Sequence, residues 1–278
     1  MNTSESITDL IEVKVYAQDF KLPVFNRVAL ELQQSITSGI SMEQAEKLIL
    51  KDQAIASEIL KLANSAFFSG LAKIESIQQA LVRLGVEMVL SIIMLVSQKQ
   101  AFQAKSVFIH SVMQELWQHA SVSAGGCRWM AINCGHTVLK EKAFLAGLLH
   151  DLGSLVLLKV LDELLQEKSD LPMTEAVIHE LIATLHMDYG YQVMHSWGFP
   201  KIYCSIARDH HKESQDENNI LLHIVRLVDA ACIKLSIGMD TNPDMVLELL
   251  PEAQVLGMKA IQLAELEVQL EDLLAQLT

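Results

Sequence analysis

Apolar residues recur at three- and four-residue spacing along most of this chain, and no stretch shows the period of two expected of a half-buried strand. Val28, Leu32 and Ile36 mark a helix that opens at Leu22-Pro23-Val24-Phe25 and stops near Gly39. Ser41-Met-Glu-Gln44 reads as a capping box, with Ala45, Leu48 and Ile49 as the inner face of the next helix. Asp52 can cap a third, lined by Ile55, Ile59, Leu60 and Leu62, and Asn64 reads as its C-terminal cap. Ser76-Ile-Gln-Gln79 starts another, through Leu81 and Leu84 to Gly85. Residues 86–102 are apolar nearly all round, which predicts a central helix.

Further helices are predicted over residues 110–130, 141–149, 155–166, 174–185, 189–197, 202–211, 220–237 and 258–278. The last carries Leu263, Leu266, Leu270, Leu273 and Leu277 in a 3-4-3-4 seam. Two heptads are short for a coiled coil, so docking on the protein's own body is preferred to a homodimer. The fold class is all-α, with two lobes dividing near residues 103–112.

Composition sharpens this picture. Hydrophobic residues make up 51% of the 278, but aromatics only 5%, so the core is aliphatic; 5 prolines and 12 glycines suit helices. A net charge of −13 without a basic tract disfavours nucleic acid and anionic membranes as partners. The longest greasy stretch noted, residues 86–96, is broken by Glu87 and Ser91 and is too short to span a bilayer. A polar, acidic start lacks signal-peptide character, and the 4 cysteines form no C-x-x-C, so a cytoplasmic setting is expected.

Candidate chemistry centres on the stretch 143–154, where His150 and Asp151 stand side by side between two apolar runs. Burying them requires hydrogen-bond partners or a cation. His119, His186, His210, His211 and Asp229 likewise fall on or at the ends of predicted helices, and Glu115 lies one turn before His119. Imidazole with carboxylate suits divalent metals such as Fe, Mn, Zn or Ni, while sites richer in oxygen suit Mg. Taken singly, each of these residues is more often a core or surface group than a ligand. His110, His136, His179, His195 and His223 are assigned no such role.

The succession of His119, His150-Asp151 and Asp229 resembles the signature of the HD superfamily of metal-dependent phosphohydrolases. The chain is more closely similar to the HDOD (HD-related output domain) family. That likeness rests on Leu22-Pro23, Lys51-Asp52-Gln53, Leu62-Ala-Asn-Ser-Ala-Phe-Phe68, Leu84-Gly85, Ala146-Gly-Leu-Leu-His-Asp-Leu-Gly153, Trp197-Gly-Phe-Pro200 and His210-His211. It implies an N-terminal helical bundle (1–105) packed on an HD-like bundle (106–240), followed by a C-terminal extension (241–278). It places Asn64-Ser65 and Phe67-Phe68 near the second lobe. It further implies a bacterial signalling module that binds a protein partner, without efficient catalysis. A metal site of His119, His150, Asp151, His186, His210, His211 and Asp229 is implied, with Asp151 the catalytic candidate were the chain a phosphohydrolase. Two departures from active relatives disfavour catalysis: Ser154 stands where they carry Lys, and Lys212-Glu-Ser-Gln-Asp-Glu replaces their G-Y-P loop. A serine cannot neutralise phosphate charge in a transition state.

Overall fold

The computed structural model describes residues 6–16, 27–37, 39–64, 73–168, 171, 173–212 and 218–277. Every regular element among them is helical. In chain order they are α1 (Ile7–Tyr16), α2 (Arg27–Thr37), α3 (Met42–Ile49), α4 (Gln53–Ala63), α5 (Ile77–Leu84), α6 (Val86–Ala101) and α7 (Val107–Asn133). There follow α8 (Lys140–Leu149), α9 (Leu152–Glu167), α10 (Glu175–Ser196), α11 (Lys201–Asp209), α12 (Ile220–Lys234), α13 (Pro251–Val255) and α14 (Ala260–Ala275).

Local chemistry sets many of these ends. Ser41 and Gln44 form the full capping box of α3, Asp52 accepts from Ala54 and Ile55 at the start of α4, and Ser76 accepts from Gln79. Asn64 does more than cap α4. Its amide donates to Leu60 O and Ile74 O, both at 2.7 Å, and its carbonyl accepts from Ile74 N at 2.8 Å. Those bonds pin the end of α4 to the segment leading into α5. Ser65, Phe67 and Phe68, and the opening Leu22–Phe25, lie outside the described residues. Between α5 and α6 the chain turns by 117° at Gly85, whose φ of +82° suits glycine.

Helix α6 packs on α2, α4 and α5 and reaches α8, and α1 lies along α9. The 27-residue α7 is the axis of the remainder, flanked by α8, α12 and α14. Ser106 caps it locally, accepting from Ile109 N, and buried Asp162 of α9 holds the segment just before it, accepting from Lys105 N at 3.0 Å and Ser106 N at 2.9 Å. A single aliphatic core runs from Ile11 to Leu273. The run Thr137–Glu167 is apolar and long enough to cross a membrane, exceeding residues 86–96, yet 89% of its most apolar window is buried inside the protein.

Two expectations need correction. Residues 174–185 and 189–197 belong to one 22-residue helix, α10, which runs unbroken through 186–188 and holds Gly190 in its interior. A close crossing by α9, described below, needs a small residue there. The extension also holds more than its last helix, since a short 3₁₀ turn (Leu247–Leu249) and α13 lie beside α12. Pro200 stands one residue before α11. Leu263, Leu266, Leu270 and Leu273 of α14 are buried within this chain, mainly along α7. A Cβ at Gly126 would come within 2.5 Å of Leu270 Cδ2, which accounts for a glycine in the middle of α7.

Candidate metal centre

Six helices deliver seven side chains to one place. His119 comes from the middle of α7, His150 ends α8, Asp151 opens α9, His186 lies within α10, His210 and His211 follow α11, and Asp229 belongs to α12. Their ligand atoms fall into two groups, Asp151 with His186, His210 and His211, and His119 with His150 and Asp229. Within each group the candidate ligand atoms lie within 4.8 Å of one another. All seven residues expected at the site are thus brought together. Glu115 is not: it is exposed and belongs to neither group.

The meeting depends on two helices in backbone contact. A Cβ at Gly153 would lie 1.8 Å from His186 O and 2.7 Å from Gly190 N, so only glycine lets α9 cross α10 there. This crossing brings Asp151 to His186. Gly147 plays the same part between α8 and α7, where a Cβ would stand 2.6 Å from Ser123 O.

Four imidazoles are oriented alike. His119 Nδ1 lies 3.0 Å from Ile237 O, His150 Nδ1 2.7 Å from Gly147 O, His186 Nδ1 2.8 Å from Ile182 O, and His210 Nδ1 3.0 Å from Ala207 O. A carbonyl only accepts, so each Nδ1 carries a hydrogen and donates. The inward Nε2 of each neutral ring is then a lone pair. Two such lone pairs face each other at 3.1 Å (His119 and His150) and at 3.3 Å (His186 and His210). Neutral rings would repel in this arrangement; it needs a proton or a metal cation between them.

The carboxylates span both groups. Asp151 Oδ1 lies 3.3 Å from His210 Nε2 and 3.6 Å from His186 Nε2, while its Oδ2 lies 3.7 Å from His119 Nε2. Asp229 Oδ1 lies 3.4 Å from His119 Nε2, and its Oδ2 3.8 Å from His211 Nδ1. Asp151 Oδ1 is a buried acceptor without a hydrogen-bond partner.

Without metal, burial opposes every charge here, and the neighbours decide. Against burial, the Cys232 thiol and Asp229 raise His119 to about 9, and Asp151 and Asp229 raise His150 to about 9. Against burial again, His150, His210 and His186 hold Asp151 well below the carboxylate range, and His150 and His119 bring Asp229 to about 2. Burial, reinforced by His210, lowers His211 to about 4, and burial also lowers His210.

A cavity of about 490 Å³ opens onto the cluster. Ser154 lines it. Among the described residues its wall includes no lysine or arginine, and Glu180 and Asp240 join Asp151 and Asp229 there. His179, assigned no role from sequence, also lines it; its position seven residues, or two helical turns, before His186 was the available signal. Nothing in the sequence pointed to the stretch after α12. There Ile237 O receives His119, and Gly238, at φ +119°, lies so close that a Cβ would meet His119 Nδ1 at 3.1 Å. A second cavity touches His210, His211 and Asp229 from another side and is lined by Lys212 and Arg226.

Comparison with known proteins agrees with this architecture. The HDOD domain family matches residues 22–213. A crystal structure of an HDOD domain protein of unknown function from Geobacter sulfurreducens is 22% identical, with a TM-score of 0.72 over 95% of this chain and 97% of that one. A candidate metal-dependent phosphohydrolase from Shewanella amazonensis SB2B is 22% identical, with a TM-score of 0.69 and the same coverage, 95% and 97%. A candidate signal transduction protein from Marinobacter aquaeolei VT8 is 19% identical, with a TM-score of 0.63 over 97% of this chain and 63% of that one. At these identities the likeness is one of fold. An uncharacterized protein of Treponema pallidum (strain Nichols) is 23% identical over 196 residues, 68% of this chain and 37% of its own length. The chain therefore spans well under half of that relative.

Proposed function

The chain belongs to the HDOD domain family, and from that premise we propose a bacterial cytoplasmic regulatory module that works by binding a protein partner. Its His/Asp cluster holds one or two divalent ions and turns over phosphoesters weakly or not at all. The observation that carries the metal is the facing of paired Nε2 lone pairs at 3.1 and 3.3 Å, with the Nδ1 of each of these four rings already committed to a carbonyl. Orphaned Asp151 Oδ1 fits the same reading. Mixed imidazole and carboxylate donors suit Mn, Fe, Zn or Ni better than Mg, which prefers an all-oxygen shell.

His119, His150 and Asp229 would hold one ion, and His186, His210, His211 and Asp151 the other. Such an ion supplies Lewis acidity and lowers the pKa of a bound water. The protein's own groups orient the donors: four carbonyls fix the ring tautomers, and the α9–α10 crossing fixes the carboxylate against the rings. Electrostatics favour the regulatory reading. Buried Ser154 supplies no charge to a phosphate, and acidic side chains stand around the cavity. On the other side, Arg226 is committed to backbone carbonyls and Lys212 lies 3.7 Å from Asp209.

The competing reading is a metal-dependent phosphohydrolase acting on a nucleotide or other phosphoester, and the complete donor set favours it. The test loads the protein with Mn, Fe or Zn and assays nucleotides, cyclic dinucleotides and a generic phosphodiester. We expect tight metal binding with little turnover, and a gain of about tenfold or more for Ser154→Lys. Robust wild-type turnover lost in Asp151→Ala would establish the enzyme instead.

A further inference from the structure

Arg226 and Glu252 stand behind the centre and belong to neither donor group. Helix α11 ends at the His210-His211 pair, where the last carbonyls of a helix lack partners within it. Arg226, on α12, supplies them from outside. Its Nη2 donates to Asp209 O at 2.7 Å and also to Lys212 O, and its Nε donates to His210 O at 3.0 Å. The guanidinium thereby grips the backbone on both sides of the two histidines. A positive group at a helix C-terminus also meets the negative end of the helix dipole.

The grip is itself braced. Glu252 of α13 lies 3.5 Å from Arg226 Nη1, and both side chains are largely buried, at 9% and 13% exposure. Arg226 stands three residues before Asp229, so one face of α12 carries both the strap on α11 and a metal-type ligand. Every one of these contacts concerns the half of the centre built from α11. Among the described contacts, Arg226 makes none to His119 or His150.

We infer that Arg226, braced by Glu252 from the C-terminal extension, is the positioning residue for the His210-His211 half of the centre and sets occupancy of that half alone. The inference rests on the metal reading above. It makes α13, which lies beyond the HDOD match, a part of the site and a route by which a change in the extension reaches one ion. A lysine could not take its place, because one ammonium cannot fork across three carbonyls.

The experiment uses the full chain, Mn²⁺ titration followed by calorimetry, and electron paramagnetic resonance. Wild type should take up two ions and give an exchange-coupled signal, since Asp151 and Asp229 span both groups. Arg226→Gln and Arg226→Lys should weaken one of the two steps about 10- to 100-fold and leave the other within about threefold, giving the six-line signal of isolated Mn²⁺. Glu252→Gln, which keeps the guanidinium, should fall between; it also serves if the arginine variants do not fold. Two undiminished steps and a coupled signal in Glu252→Gln and in a folded arginine variant would overturn the inference and leave the metal reading standing. Equal weakening of both steps would also overturn it, as a general loss of structure. Wild type that binds no Mn²⁺ removes the metal reading, and the inference falls with it.

Discussion

At the scale of residues, a metal ion bound at the centre would compete with protons for the same lone pairs. Metal-free His119 and His150 are raised to about 9, so near neutral pH the cluster carries protons that an ion must displace. Protonation that is tighter in the fold than in the open chain stabilises the metal-free protein fully below about 6.5, and this stabilisation is lost as pH rises to about 9. Metal affinity runs the opposite way. It should rise between pH 6 and 9 by up to about one decade per pH unit for each proton displaced, with proton release visible when calorimetry is repeated in buffers of different ionisation enthalpy. Binding at pH 7 without proton release would contradict the raised protonation of His119 and His150. Asn64 offers a test away from the centre. Its side chain makes three bonds, two to Ile74, and Asn64→Ala should cost about 1–3 kcal/mol in urea unfolding. Asn64→Asp should cost at least as much at neutral pH, because a carboxylate would face two carbonyls. A variant as stable as wild type would show the staple to be idle.

Helices here are held by neighbours as well as by their own caps, and two variants measure the neighbours' share. Asp162 of α9 ties down the two residues before α7 with two backbone bonds. Asp162→Asn keeps the shape but turns an amide donor toward one of the two N–H groups, so a loss of about 1–2 kcal/mol is expected by chemical denaturation. Leu270→Ala opens a hole beneath α14, opposite Gly126, and should cost about 2–5 kcal/mol. A cost well under that range would mean that α14 is loosely held. Local signals such as Ser41, Asp52 and Ser76 were legible because a cap and the helix it caps are adjacent in sequence. Asp162 was not, since its partners lie 56 and 57 residues away. α13 was missed because five residues are too few to show a period.

For the molecule as a whole, the seven clustered residues were legible as residue types and, through the family likeness, as a candidate set; their division into two groups and the carbonyls behind them were not. Chain position says nothing of which nitrogen faces inward. Because the candidate ligands span residues 119 to 229 on six helices, an ion that binds only the folded form should raise the melting temperature. Saturation to about 100 times Kd adds about 2.7 kcal/mol, which in a chain of this size should appear as a rise of about 5 °C or more that chelation reverses. An unchanged melting curve would deny the ion a share in holding these helices together. The crossing at Gly153 carries a different lesson, about what a short motif reports. His-Asp-x-Gly couples two messages of separate origin: its first two letters speak of ligands, its last of a backbone contact that admits no side chain. A relation that had lost His150 and Asp151 altogether would still need the glycine to close the same crossing. Recognition through that letter is therefore a statement of ancestry and shape, and only the first two letters bear on chemistry.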